Sequence, residues 1–516
     1  MNQPVTASPP TLEQDAPGRK RRAWRLLGAI ALVRLAWLWL VPLDLAGDEA
    51  YYWDWGRRPA WGYFSKPPMI AWLNTLTGWL GATTAPAVRV PAVLLGTLGL
   101  AMLWLLARRL WGERAGVYAL VLGALAPGGL ALNFLLTIDA PLLAAWAVAL
   151  YALWRALEPA APGRTRWWLL YVVAAAFGVL SKQMMLVFPL LAAGFVFTSP
   201  PDRAGRSRVA AYLWLAAPWL ALIPVLAWNA QHGWPTLHHM AHHFEAPAWT
   251  AGLALRFAGE FIAGQAGLAG PVVLVMLLAA AWNWRVARAD RRQWFAWMFS
   301  VPPLAVVLAL SLRQRVQPNW PAAFYPGGML LVTGWLATDW PNRARWWRVS
   351  WKSGVVLAGL AYGGIILIGP LGQTGGKLDL AARLRGWAEF GQAVGTRLAQ
   401  EEKAVGEVAV VVAGPRQWAS ELAFYLPGQP EVWRWTPPDE PIDSQYALWP
   451  GPLASHLHGR ALLVLPAGDP LPAELARSFT ATRLVGKNVT VHLGANREIA
   501  ADCWLGEDML GWTEAR

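Results

Sequence analysis

The chain has 516 residues, 56% of them hydrophobic and only 15% charged, with a formal net charge of +13. Soluble domains of this size carry about 25% charged residues, so a single water-soluble globule is excluded. Lys and Arg sit in short clusters between long apolar runs, which argues against nucleic acid as the reason for the positive surplus. The lone cysteine, Cys503, rules out an intramolecular disulfide.

Taken in chain order, residues 1–22 are expected to be a disordered, basic cytoplasmic N-terminus ending in Arg19-Lys20-Arg21-Arg22. The apolar run of about 20 residues behind it is long enough to span a bilayer. It lacks a small-residue cleavage site and reads as an uncleaved first helix, not a signal peptide. Backbone polar groups in hydrocarbon must be satisfied within the segment, so each later apolar run is also predicted to be a helix. The spans fall near 24–43, 88–107, 115–132, 140–155, 167–182, 184–199, 209–228, 267–284, 294–311, 319–338 and 350–370. The fold class is therefore an α-helical polytopic membrane protein of about eleven spans, up to thirteen, over residues 23–371. From 372 to 516 the composition becomes that of a soluble α/β domain, with helical patterns at 378–400 and 418–425 and β-rich runs at 407–413, 461–465 and 488–493.

Basic clusters at 19–25, 108–114, 155–166, 203–208, 285–292 and 343–352 fall on every second connection. That is the pattern of loops kept on the cytoplasmic side, and it places the N-terminus inside and the C-terminal domain outside, in the periplasm of a bacterium. The thirty-six tryptophans, among them Trp72, Trp79, Trp167 and Trp168, fit interfacial belts as well as ordinary packing.

The unusual polar residues lie on the expected outer side. The first such connection holds Asp48-Glu49 directly after a span, then Tyr63-Phe64-Ser65-Lys66-Pro67-Pro68. Ionisable groups at this depth are costly and mark function, although Asp48 can equally cap an interfacial helix. Arg313 and Arg315, before Asn319 and Tyr325, break the inside-positive pattern and suit either a phosphate or lipid headgroups. The segment 228–245 gathers five histidines; His239 and His243, four apart, share a helix face, a spacing that suits either a divalent metal or a headgroup-facing loop. In the C-terminal domain, Arg416, Gln417, Ser420, Glu421 and Tyr425 are either acceptor contacts or ordinary surface and packing residues.

Asp48-Glu49 after the first span, the Tyr-Phe-x-Lys-Pro-Pro element, and Thr137-Ile138-Asp139-Ala140-Pro141 after the third together resemble one family. It is the GT-C superfamily of polyprenyl-phosphate-sugar glycosyltransferases, which includes protein O-mannosyltransferases, lipid A aminoarabinose transferases and lipid A-core galacturonosyltransferases. The resemblance covers about residues 20–370. It implies an inverting transfer of a sugar from a polyprenyl-phosphate carrier to lipid A or core, another glycan or a protein, at the inner membrane. Asp48 matches the family's general base, with Glu49 orienting Asp48 or a loop helix and Asp139 at the second acidic position, where a helix cap is the alternative role. Lys66, with Arg313, Arg315 and Tyr325, is expected at the donor phosphate, and Tyr63 and Asn319 at the acceptor or in the loop beside it. Aminoarabinose transferases place a metal-binding glutamate just before the first-loop lysine. Ser65 stands there in this sequence, so a divalent metal on His239 and His243 would need another carboxylate, Glu245 or Glu49. The competing expectations are a transporter or flippase that moves the lipid-linked sugar without chemistry, or a silent assembly protein. Transporters favour midplane polar groups and internal repeats, and no pair of similar halves is evident here.

Overall fold

The computed structural model describes residues 17–41, 43–158, 163–199, 208–242, 248–338, 342–454, 459–494 and 497–512. Its first half is helical: α1 (Pro17–Leu40), α2 (Gly47–Gly56), α3 (Met69–Trp79), α4 (Ala85–Trp111), α5 (Glu113–Leu125), α6 (Pro127–Leu132), α7 (Asp139–Leu157), α8 (Arg164–Ser181) and α9 (Val187–Thr198). There follow α10 (Arg208–Ala216), α11 (Leu222–Gln231), α12 (Pro235–His242), α13 (Ala251–Ala269), α14 (Pro271–Trp282), α15 (Trp284–Ala289), α16 (Arg291–Met298), α17 (Val301–Ser311), α18 (Tyr325–Ala337) and α19 (Arg343–Leu367). Each expected apolar span coincides with helix. Because α1 starts at Pro17, the basic residues 20–22 are helical and not part of a disordered tail; residues 1–16 lie outside the described residues.

Among the described residues, six helical stretches are long and apolar enough to cross a membrane, or seven if α13 and α14 form one broken span. The break between those two is a 109° bend at Gly270, whose φ of +83° is left-handed backbone that a glycine adopts without strain. Prolines divide other runs: Pro127 opens α6 after α5, and Pro218 sits in the 3-10 turn between α10 and α11.

The helices share a core in which Trp146, Phe188, Phe295, Phe299 and Phe324 are fully buried. Their rings meet edge-on or tilted, as at Trp146–Phe188 (4.9 Å) and Phe188–Phe299 (4.7 Å). At one end of this bundle three basic connections touch. Arg109 and Arg155 both pair with Glu158 (2.8 and 2.9 Å), while Arg291 and Arg292 donate to the carbonyls of Leu157 and Leu110. Of the tryptophans named above, Trp79 is exposed, whereas Trp168 is buried against Trp214 and Trp72 donates to the Ala60 carbonyl.

After α19 come α20 (Trp387–Val405), β1 (Ala409–Val412), α21 (Arg416–Tyr425), β2 (Val432–Arg434), β3 (Ala461–Pro466), α22 (Ala473–Ala476), β4 (Phe479–Leu493) and β5 (Arg497–Met509). The strands form one sheet in the order β2-β1-β3-β5-β4. β1 is parallel to β2 and β3, while β3–β5 and β5–β4 are antiparallel. The helix expected from 378 starts instead at Trp387. Residues 375–385 are folded around Asp379, which accepts the amides of Gly375 and Ala381 and pairs with Arg385 at 3.1 Å, and left-handed Gly386 turns the chain into the helix. Cys503 is buried in β5.

A second core joins this sheet segment to the first connection of the helical part. It contains Tyr51, Trp55 and Ile70 from α2 and α3, Phe390 and Leu422 from α20 and α21, and Val410 and Leu505 from the strands. The site is built on that junction.

Candidate active site

Asp48 and Glu49 are neighbours with opposite surroundings. Ala46 flanks the start of α2, and its amide donates to Glu49 Oε2 at 3.0 Å, so Glu49 and not Asp48 closes this helix end. The Glu49 carboxylate is fully buried, receives Arg89 Nη2 at 2.7 Å, and accepts the Leu136 amide at 2.8 Å. Arg89 also donates to the carbonyls of Leu43 and Asp44. Glu49 thus ties α2 to α4 and to the turn before α7. With the cap supplied by Glu49, Asp48 is free to face outward, where its side chain is 54% exposed and pairs with Arg416 Nη2 at 2.8 Å.

Asp139 is the first residue of α7, yet it does not cap the helix. Its Oδ1 receives Lys182 Nζ at 2.7 Å and its Oδ2 receives Asn319 Nδ2 at 2.8 Å. Asn319 therefore holds an acidic side chain of the site. Lys182 stands in extended backbone between α8 and the following 3-10 turn, and the next residue, Gln183, donates to the Ser65 carbonyl at 3.4 Å.

That contact brings in Lys66. Burial, and then the neighbouring Lys182, lower its ammonium pKa to about 8, against the opposing pull of Asp48 and Asp139. Two lysines and two aspartates from four separate elements therefore share one local field. The Lys66 loop is held from the C-terminal segment: the Phe64 amide donates to Gln445 Oε1 at 2.7 Å, the Gln445 amide to the Tyr51 hydroxyl, and the Tyr446 hydroxyl to Asp54 at 2.8 Å.

Other expected residues have different tasks. Tyr63 is fully buried and stacks on Trp55 at 4.5 Å; its hydroxyl accepts the Ala60 amide, so it braces the loop. The exposed Arg315 pairs with Glu260 of α13 at 3.1 Å, and Arg313 is exposed beside it; among the described residues no contact brings either to Asp48 or Lys66. Tyr325 donates to Gln265 at 2.8 Å, which in turn donates to the Pro318 carbonyl. Tyr325 also lines an apolar cavity with Gly96, Gly99, Gly129, Leu132 and Asn133. His239 sits against the Phe64 ring, while His243 and Glu245 lie outside the described residues. Among the described residues no three His, Cys, Asp or Glu side chains are grouped as a metal would require.

Sequence reasoning missed Arg89 and gave Lys182 no role. A charge inside an apolar span was the available signal for the first. Of the C-terminal residues, Arg416 reaches Asp48, Ser420 donates to the Gly47 carbonyl at 3.3 Å, and the Tyr425 hydroxyl accepts the Leu45 amide at 2.7 Å. Glu421 is buried on the same helix, and burial pushes its carboxyl well above the usual range.

Residues 65–228 match the family described as dolichyl-phosphate-mannose-protein mannosyltransferase. A lipid A galacturonosyltransferase, RgtD, of Rhizobium johnstonii is 27% identical over 306 residues, 58% of this chain. The match spans 63% of that relative's length. ArnT from Cupriavidus metallidurans in its apo state superposes with a TM-score of 0.64 over 94% of this chain and 98% of ArnT, at 16% identity. The same protein bound to undecaprenyl phosphate gives the same score over 95% and 98%. The fold is that of ArnT, and the long apolar helices mark the chain as a membrane protein.

Proposed function

We propose that the chain transfers a sugar from a polyprenyl-phosphate carrier to an acceptor on the outer face of the inner membrane, with inversion at the anomeric carbon. The observation that carries this reading is the junction of Asp48, Asp139, Lys66 and Lys182 at the ends of α2, α7 and α8. In this reading the acceptor oxygen bonds to the anomeric carbon as the bond to the carrier phosphate breaks, and Asp48 takes the hydroxyl proton. The carrier leaves as an anion. Lys66, with Lys182 behind it, meets the charge that grows on the leaving phosphate, so it stabilises the transition state more than the bound donor. Asp139 keeps Lys182 and Asn319 in place.

The apolar, glycine-lined cavity next to Asn133 and Tyr325 suits an isoprenoid chain. The similar proteins suggest undecaprenyl phosphate as carrier, lipid A as acceptor and galacturonate as one sugar to try. For topology, we propose eleven spans within 23–371, a cytoplasmic N-terminus and a periplasmic α/β domain over 372–516. The convergence of basic connections at one end of the bundle supports that orientation.

The test is the full chain in proteoliposomes, with undecaprenyl-phosphate-linked galacturonate as donor and lipid A as acceptor. Asp48→Asn is expected to lower transfer by roughly 10²–10⁴-fold. Unchanged transfer in that variant removes Asp48 as the base. Lipid movement across the bilayer with no transfer by the wild type would favour a flippase.

A further inference from the structure

Arg416 comes to the site from the far end of the sequence. It opens α21 directly after Gly414-Pro415, and its Nη2 donates to Asp48 Oδ1 at 2.8 Å. Its guanidinium lies over the Tyr51 ring, 4.5 Å from the centroid, which fixes the plane of the donor fork. α21 does not depend on this ion pair for its place against α2. Ser420 bonds the Gly47 carbonyl, Tyr425 bonds the Leu45 amide, and Gln417 packs so tightly on Gly47 that a Cβ there would come within 2.5 Å of its Cγ. The pair itself is open, with side chains 40% and 54% exposed, and exposed ion pairs contribute little to stability. A structural bridge would be closed off like Glu49–Arg89, whose side chains are 0% and 2% exposed. The charge of Asp48 also acts on Lys66 of the loop and on Tyr52 of α2.

We propose that Arg416 is a positioning residue for Asp48: it holds Oδ1, fixes the carboxylate's orientation, and leaves Oδ2 to receive the proton of the acceptor hydroxyl. This rests on the reading of Asp48 as the base. It also gives the C-terminal segment a direct part in the reaction, because one element of the site is incomplete without it.

The experiment uses the full chain in the same proteoliposomes, with undecaprenyl-phosphate-linked galacturonate, lipid A, and release of free carrier as the signal. Arg416→Gln is expected to lower kcat by roughly 10- to 100-fold, the scale of a misplaced reacting group, with the KM for donor unchanged within about two-fold. Arg416→Lys, which keeps the charge without the planar fork, is expected to fall between that variant and the wild type. Wild-type kcat in Arg416→Gln, or a raised KM at full kcat, overturns the proposal; the second result would mean that Arg416 holds substrate. Should Arg416→Gln melt below the wild type, the decision passes to Arg416→Lys, where full wild-type kcat overturns the proposal. Asp48→Asn separates the two readings. If that variant is inactive while Arg416→Gln behaves as wild type, only the positioning role falls. If Asp48→Asn transfers normally, or the wild type releases no carrier, both fall.

Discussion

Two segments of this chain carry cations beside proline turns, and they have been put to different uses. Lys66 sits in a loop closed by Gln445, Tyr446 and Gln183, loses much of its water, and shares a field with two aspartates and a second lysine. Arg315 stays exposed, with its partner on a neighbouring helix. A cation becomes useful for phosphate chemistry when its surroundings prearrange and partly desolvate it, and being charged on the correct side of the membrane is not sufficient.

The comparison can be broken most forcefully beneath the first segment. Arg89→Leu leaves Glu49 as an uncompensated buried charge, and about 3–5 kcal/mol of stability should be lost, read as a lower melting temperature in detergent. Adding Glu49→Gln to that variant should recover part of the loss; no recovery would mean that the pair is not the source. A smaller effect concerns Lys66 itself. Only the protonated ammonium attracts a phosphate, and the folded-state pKa is lowered to about 8. Affinity for undecaprenyl phosphate should therefore be steady below pH 8 and fall as pH rises above it. Lys66→Arg should flatten that fall, as followed by tryptophan fluorescence between pH 6.5 and 9.5. The smallest effect is expected in the second segment: Arg315→Ala should keep transfer within about two-fold of the wild type and leave the melting temperature unmoved, as for most exposed pairs. A large loss of transfer there would return Arg315 to the donor site.

The helical spans were legible because hydrocarbon admits only internally bonded helices, so an apolar run of sufficient length has one reading. Asp48, Lys66 and Asp139 stood out in the sequence because charge next to a span is rarely idle. Their immediate neighbours were harder to see. Glu49 has the same chemistry as Asp48, and only the position of Arg89 forty residues later decides which of the two is buried. Tyr63 looks polar in a loop, but its stacking on Trp55 is a tertiary fact. The link from Arg416 to Asp48 joins residues 368 apart, a distance over which no local pattern speaks. β5 was missed for a related reason: its polar residues interrupt the apolar alternation, and Asp502 is satisfied by the amides of Gly468 and Asn488 instead of by solvent.

Cys503 offers a different kind of consequence. The chain's single thiol is fully buried in β5, and burial raises its pKa to about 12, so at neutral pH it is neither reachable nor ionised. The native sequence therefore serves as its own silent background for thiol chemistry. A cysteine introduced one position at a time along the connections, probed with a reagent that cannot cross the membrane, would report which side each connection faces without first stripping the protein of reactive groups.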